Sequence, residues 1–149
     1  NIIIYNPQKG IEKIEVLKKN SPENFNWIPI ENMSPTEVQE LFKKSKVYID
    51  LGYHPGKDRI PREAAVNDCC IITNREGSAN NSIDIPIPDI YKFPDPIKDQ
   101  HKIFDLITDI FISFENHLIS FGTYKDKILM EEQIFEKEIN CFAKKASLI

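Results

Sequence analysis

Four short apolar runs, Asn1–Tyr5, Phe25–Ile30, Val47–Leu51 and Cys69–Thr73, alternate with stretches of helical spacing, and this alternation constrains the chain more than any other feature. Within the runs the apolar residues are nearly continuous, the pattern of strands covered on both faces. Between them, Ile11, Ile14 and Leu17 recur at helical intervals up to Asn20. Ser34-Pro35-Thr36-Glu37 reads as a capping box with proline at the first helical position, followed by Val38, Leu41 and Phe42 on the inner face. Pro61–Asn67 reads as a third helix that begins at its proline. The expected fold is α/β, a Rossmann-like doubly wound parallel sheet. Ile83–Ile87 is expected to add an edge strand limited by Pro86 and Pro88.

From Asp99 the chain becomes helical. Ile103, Phe104, Ile107, Phe111, Phe114 and Leu118 are expected in the core, Gly122 breaks the pattern, and a last amphipathic helix carries Ile128, Phe135, Ile139 and Phe142 along one stripe. Residues 1–149 read as one domain, with a sheet core over 1–95 and C-terminal helices over 96–149. The chain opens with Asn1 directly on a strand, so it is expected to be a fragment of a larger two-domain protein. The apolar stripe is then a surface for the missing part, or for self-association where it is left bare.

In doubly wound sheets ligands bind beyond the carboxyl ends of the strands. Three loops occupy that edge: Asn6–Gly10, Gly52–Ile60 and Asn74–Ser82. The middle one matters most. His54, Lys57, Arg59 and Arg62 fall within nine residues where an apolar strand empties into a helix, and Pro55-Gly56 supplies the turn. A helix N-terminus offers free N–H groups and the positive end of its dipole, so this junction is a candidate phosphate site. Asp58 and Glu63 are near enough to neutralise part of the cluster.

Composition narrows the classes. With 149 residues, 41% hydrophobic content and a net charge of −4, the chain is long enough for a core and too acidic for a surface held mainly by nucleic-acid phosphates. Its three cysteines, Cys69, Cys70 and Cys141, lack CxxC spacing and read as reduced thiols of a cytoplasmic protein. No His, Cys and carboxylate cluster shows ligand spacing on one element, so a metal site is not expected, and no Walker sequence or G-x-G-x-x-G is present. Asp50, on a strand expected to be buried, is assigned the orientation of a loop N–H or a lysine. His101 and His117 read as surface or cap residues, Trp27 as core, and Lys92 as solvated.

The order Tyr5-Asn6-Pro7-Gln8-Lys9-Gly10, the capped helix at Ser34, Val47-Tyr48-Ile49-Asp50-Leu51-Gly52, Pro61-Arg62-Glu63-Ala64-Ala65, then Cys70-Ile71-Ile72-Thr73 with Gly77-Ser78, resembles the donor-binding half of GT-B glycosyltransferases. The likeness covers about Asn1 to Lys92 and is nearest to bacterial enzymes of capsule and surface-polysaccharide synthesis. What the resemblance implies is a nucleotide-sugar donor, transferred to a polysaccharide or glycolipid acceptor, with no metal or other cofactor. Glu63 would hold the ribose. Lys9, Lys57, Arg59 and Arg62 would hold the diphosphate, and Gly10, Gly77 and Ser78 would let the backbone approach the ligand. His54 and Arg59 would be the catalytic candidates. Many retaining members carry an acidic residue eight positions before the glutamate, where this chain has Pro55, so sugar contact would pass to His54 or to other groups. The missing N-terminal domain would supply the acceptor site, and the resemblance leaves room for peripheral membrane association of the full-length enzyme. The alternatives are a GT-B-fold nucleotide-sugar epimerase, a non-catalytic α/β binding module, and a transferase domain that has kept only its fold.

Overall fold

The computed structural model describes residues 1–146. Five strands, β1 (Ile2–Tyr5), β2 (Asn26–Pro29), β3 (Val47–Asp50), β4 (Cys70–Asn74) and β5 (Lys92–Phe93), form one sheet in the order β2-β1-β3-β4-β5, with every pairing parallel. The first three crossovers are α1 (Ile11–Asn20), α2 (Pro35–Lys44) and α3 (Arg59–Val66). Right-handed connections out from β1 in both directions place α1 on one face of the sheet and α2 and α3 on the other. After β5 come α4 (Gln100–Ile112), α5 (Phe114–Ile119) and α6 (Gly122–Ala146). α4 covers the α1 face, where Phe104 and Phe111 meet Phe25 edge-to-face, while α6 packs on α3.

The continuous apolar runs are explained by this enclosure: all residues of β3 and β4 are buried, as are Ile3, Ile4 and Tyr5. Ser34 caps α2 as expected, accepting from Glu37 N–H at 3.3 Å while the Glu37 carboxylate accepts from Ser34 N–H at 2.7 Å. Other expectations are corrected. α3 starts at Arg59, two residues before Pro61, because any of the first helical positions tolerates a missing N–H. Ile83–Ile87 is not a strand; Ile85 and Ile87 bury themselves from a loop, and the fifth strand is the two-residue Lys92–Phe93. The late helical region breaks at Ser113 as well as before Gly122. Trp27 is only half-buried, its indole N–H donating to Ser21 Oγ at 3.0 Å. Lys92 is buried rather than solvated, donating to the carbonyls of Asn81 and Ile85 at 2.8 Å each. Burial, with the nearby Arg75 charge, holds its ammonium below the ordinary lysine range. His117 bridges Tyr91 Oη, 2.8 Å from Nδ1, to Asp109 Oδ2, 2.9 Å from Nε2.

The stripe on α6 divides at Ile128. Tyr124 and Ile128 are buried against the body, whereas Phe135, Ile139 and Phe142 are exposed, with Met130 and Ile134 beside them.

Two glycines are fixed by close approach. Gly10 (φ 60°) brings the start of α1 against the end of β3, where an added Cβ would lie 2.5 Å from Leu51 C and O. Gly77 (φ 64°) brings the loop after β4 against the next loop, where a Cβ would lie 2.1 Å from His54 O. Gly77→Ala is therefore expected to cost about 2–4 kcal/mol in urea unfolding, while Gly56→Ala, with nothing near its Cβ position, stays within about 0.5 kcal/mol.

Burial pushes the thiols of Cys69 and Cys70 from 9.0 up to about 12, so they stay neutral in the folded state after the unfolded chain has ionised. Raised folded-state values of this kind give stability that is whole below about pH 9 and lost between 9 and about 12. The urea midpoint is accordingly expected to fall steadily above about pH 9. A disulfide-exchange reagent at neutral pH should modify the exposed Cys141 rapidly and Cys69 and Cys70 only on unfolding.

Candidate functional site

Strand order reverses between β1 and β3, which opens a crevice beyond their carboxyl ends. The loops that meet there are Asn6–Gly10 and Leu51–Asp58. A buried carboxylate organises the second loop. Asp50, on the last residue of β3, accepts from Tyr48 Oη at 2.8 Å and from Gly52 N–H at 3.1 Å, the loop-orienting role read from the sequence. Burial and the adjacent Asp50 charge drive the Tyr48 phenol well above its ordinary value, with Asp58 adding to the effect. His54 lies fully enclosed between two carboxylates: Nε2 is 3.5 Å from Asp50 Oδ1 and Nδ1 is 2.9 Å from Asp58 Oδ2. Neither approach runs along a ring N–H direction, so both nitrogens lack a hydrogen-bond partner despite the short separations. Lys9, from the β1 loop, closes the cluster by pairing with Asp58.

The third loop secures the second from the side. Asn74 Nδ2 donates to Leu51 O at 2.7 Å and Gly52 O at 3.0 Å, and Ser78 donates to the carbonyls of His54 and Gly56 through Oγ at 3.1 and 2.8 Å. Ser78 N–H also donates to His54 O at 2.8 Å. The three residues expected to open the backbone to a ligand thus do something else. The space left by Gly10 and Gly77 is filled by the protein's own backbone, and the Ser78 hydroxyl is spent on the loop.

At the start of α3 the cations converge, and each carries a partner. Arg59 Nε donates to Glu63 Oε1 at 2.7 Å. Lys57 Nζ and Arg62 Nη1 each lie 2.9 Å from the Glu131 carboxylate on α6, and they hold its carboxyl below the usual range. Asp58 occupies the N-cap position without capping, since its carboxylate is turned to Lys9 and His54, and the first-turn N–H groups of α3 receive no side-chain acceptor from it. A cavity of about 390 Å3 brings Lys57, Arg59, Arg62 and Glu63 together with Gln39 from α2 and Ile128 from α6. A second cavity of about 520 Å3, between α2 and α3, shares Gln39, Arg59, Glu63 and Asn67 and is otherwise lined by apolar side chains, among them Ile30, Met33, Val38 and Ile60.

The residues singled out from the sequence therefore fall into two groups. Lys57, Arg59, Arg62 and Glu63 share an open cavity, while Lys9 and His54 belong to the buried cluster with Asp50 and Asp58. Sequence reasoning missed Glu131, Lys13 and Asn74. Lys13 donates to Leu51 O at 3.3 Å and pairs with Glu76, joining the loops after β3 and β4. Glu131 carries no local signal at all, because only the packing of α6 on α3 brings it to the cations.

No family model matches the chain, and no curated protein matches it. Among the described residues no helix is long and apolar enough to cross a membrane.

Proposed function

We propose that the chain binds a nucleoside-diphosphate-sugar and forms the donor-binding half of a glycosyltransferase acting in the cytoplasm on a polysaccharide or glycolipid precursor. The observation that carries this reading is the convergence of Lys57, Arg59, Arg62 and Glu63 in one open cavity that begins at the uncapped first turn of α3 and runs along that helix between α2 and α6. The diphosphate lies against Lys57, Arg62 and the α3 amides, and Glu63 accepts from the vicinal hydroxyls of the ribose. The base enters the apolar cavity between α2 and α3, which borders the first at Gln39, Arg59, Glu63 and Asn67. As the bond between sugar and diphosphate breaks, charge grows on the leaving phosphate, and the prepositioned cations stabilise it more in the transition state than in the ground state. The acceptor and any general base come from a second domain, for which the exposed stripe Phe135, Ile139 and Phe142 is the natural contact surface.

Glu131 pairs with Lys57 and Arg62, and Glu63 with Arg59, so donor binding is an exchange of carboxylate for phosphate. Titration with UDP, GDP, ADP and CMP by calorimetry should find one preferred nucleoside diphosphate. Arg62→Ala and Glu63→Ala should each weaken it about tenfold or more. Glu131→Gln, which releases two cations, should tighten it severalfold. Absence of binding by all four nucleotides at millimolar concentration would reject the donor site and favour a non-catalytic binding module.

A further inference from the structure

The buried cluster behind the cations has features that ion pairing alone leaves unexplained. Among the described residues, the buried side-chain polar atoms with no hydrogen-bond partner are the two ring nitrogens of His54 and Thr73 Oγ1. Thr73 is the register partner of Asp50 on the neighbouring strand, so all of these orphaned groups belong to one neighbourhood. An unsatisfied polar group in such a place costs about 1–3 kcal/mol. Here the two ring nitrogens face two carboxylates.

We propose that Asp50, His54 and Asp58 form a site for one divalent transition-metal ion of the Zn2+ or Mn2+ class. One ligand atom from each residue lies within 4.8 Å of the others. Ligands of a single ion with bonds of about 2.1 Å are at most about 4.2 Å apart, so a tightening of about half an ångström completes the set. The 3.5 Å between His54 Nε2 and Asp50 Oδ1 is already close to the edge of a tetrahedron with such bonds, about 3.4 Å. One imidazole with two carboxylates suits a borderline first-row ion better than Ca2+ or Mg2+, which take oxygen ligands alone. The outer layer is also in place. Tyr48 Oη and Gly52 N–H orient the Asp50 carboxylate.

Lys9 fits this assignment as a stand-in. Its ammonium pairs with Asp58 on the side that opens to solvent, where the two side chains are 27% and 16% exposed, whereas those of His54 and Asp50 are 0% and 1% exposed. A flexible lysine at the mouth balances the carboxylates in the absence of an ion and withdraws to admit one. The site does not depend on the nucleotide reading, because it is built from different residues.

The test is a titration of the metal-free protein with ZnCl2 and with MnCl2, each alone, by calorimetry. One ion per chain is expected, and Asp50→Asn and Asp58→Asn should weaken binding by about tenfold to a hundredfold. Lys9→Met should tighten it severalfold by removing the competing cation, the reverse of what a merely structural Lys9 would give. If the aspartate variants fail to fold by circular dichroism, two measurements still decide: the sign of the Lys9→Met effect, and the shift of the His54 ring nitrogen resonances in the unaltered protein on adding Zn2+. No stoichiometric binding by either the unaltered protein or Lys9→Met, unchanged affinity in a folded Asp58→Asn, or His54 resonances that do not move would each overturn the site.

Discussion

A carboxylate sealed at the end of a strand sets the terms for the whole carboxyl edge of this sheet. Asp50 sits in β3, where every residue is buried, and an ionised group so placed must be supplied with hydrogen-bond donors or opposite charge. Tyr48 supplies one from the strand itself, and the chain turns back at Gly52 to supply another. His54 then fills the space beneath the loop, and Asp58 is held by Lys9 instead of capping α3. The free first turn of α3, and the cations around it, follow from that arrangement. Lys57 and Asp58, adjacent on that loop, reach the open cavity and the buried cluster respectively.

The surrounding loops fix that geometry by backbone contact more than by side-chain charge. Gly10 and Gly77 each bring a neighbouring loop to within a distance that no Cβ permits, and Asn74 and Ser78 donate to four carbonyls of the 51–56 segment. Exposed ion pairs such as Arg59 with Glu63 contribute at most about 1 kcal/mol. Such pairs open at little cost.

How far the sequence reveals this depends on the range of the interaction. The apolar runs, the capping box at Ser34 and the helix over Ile11–Asn20 are local, and their residues suffice to locate them. The first residue of α3 was less legible, since a proline is tolerated anywhere in the first turn. Ile83, Ile85 and Ile87 look like a strand because alternation is the same signal whether residues pair with a sheet or merely bury themselves from a loop. Lys92 gave no sign of burial, because the two carbonyls that receive it come from that unrecognised loop. The cationic residues of the candidate site were visible as a cluster, but their partners were not. Glu131 reaches them from α6, and the Asp50–His54–Asp58 grouping arises on a loop whose path no periodicity describes.

The parallel sheet also dictates how this chain must assemble. Its central pair joins Ile3 to Val47, and no two of its strands can be connected by a tight hairpin. Each pairing waits for a crossover to be in place, and the innermost one waits for two, so loop-closure entropy is spent before any ladder repays it. Until β3 arrives, β1 and β2 form only a parallel ribbon with one edge of β1 unpaired. Folding is therefore expected to be slower than in a chain built on hairpins, because the β1–β3 ladder waits for both crossovers.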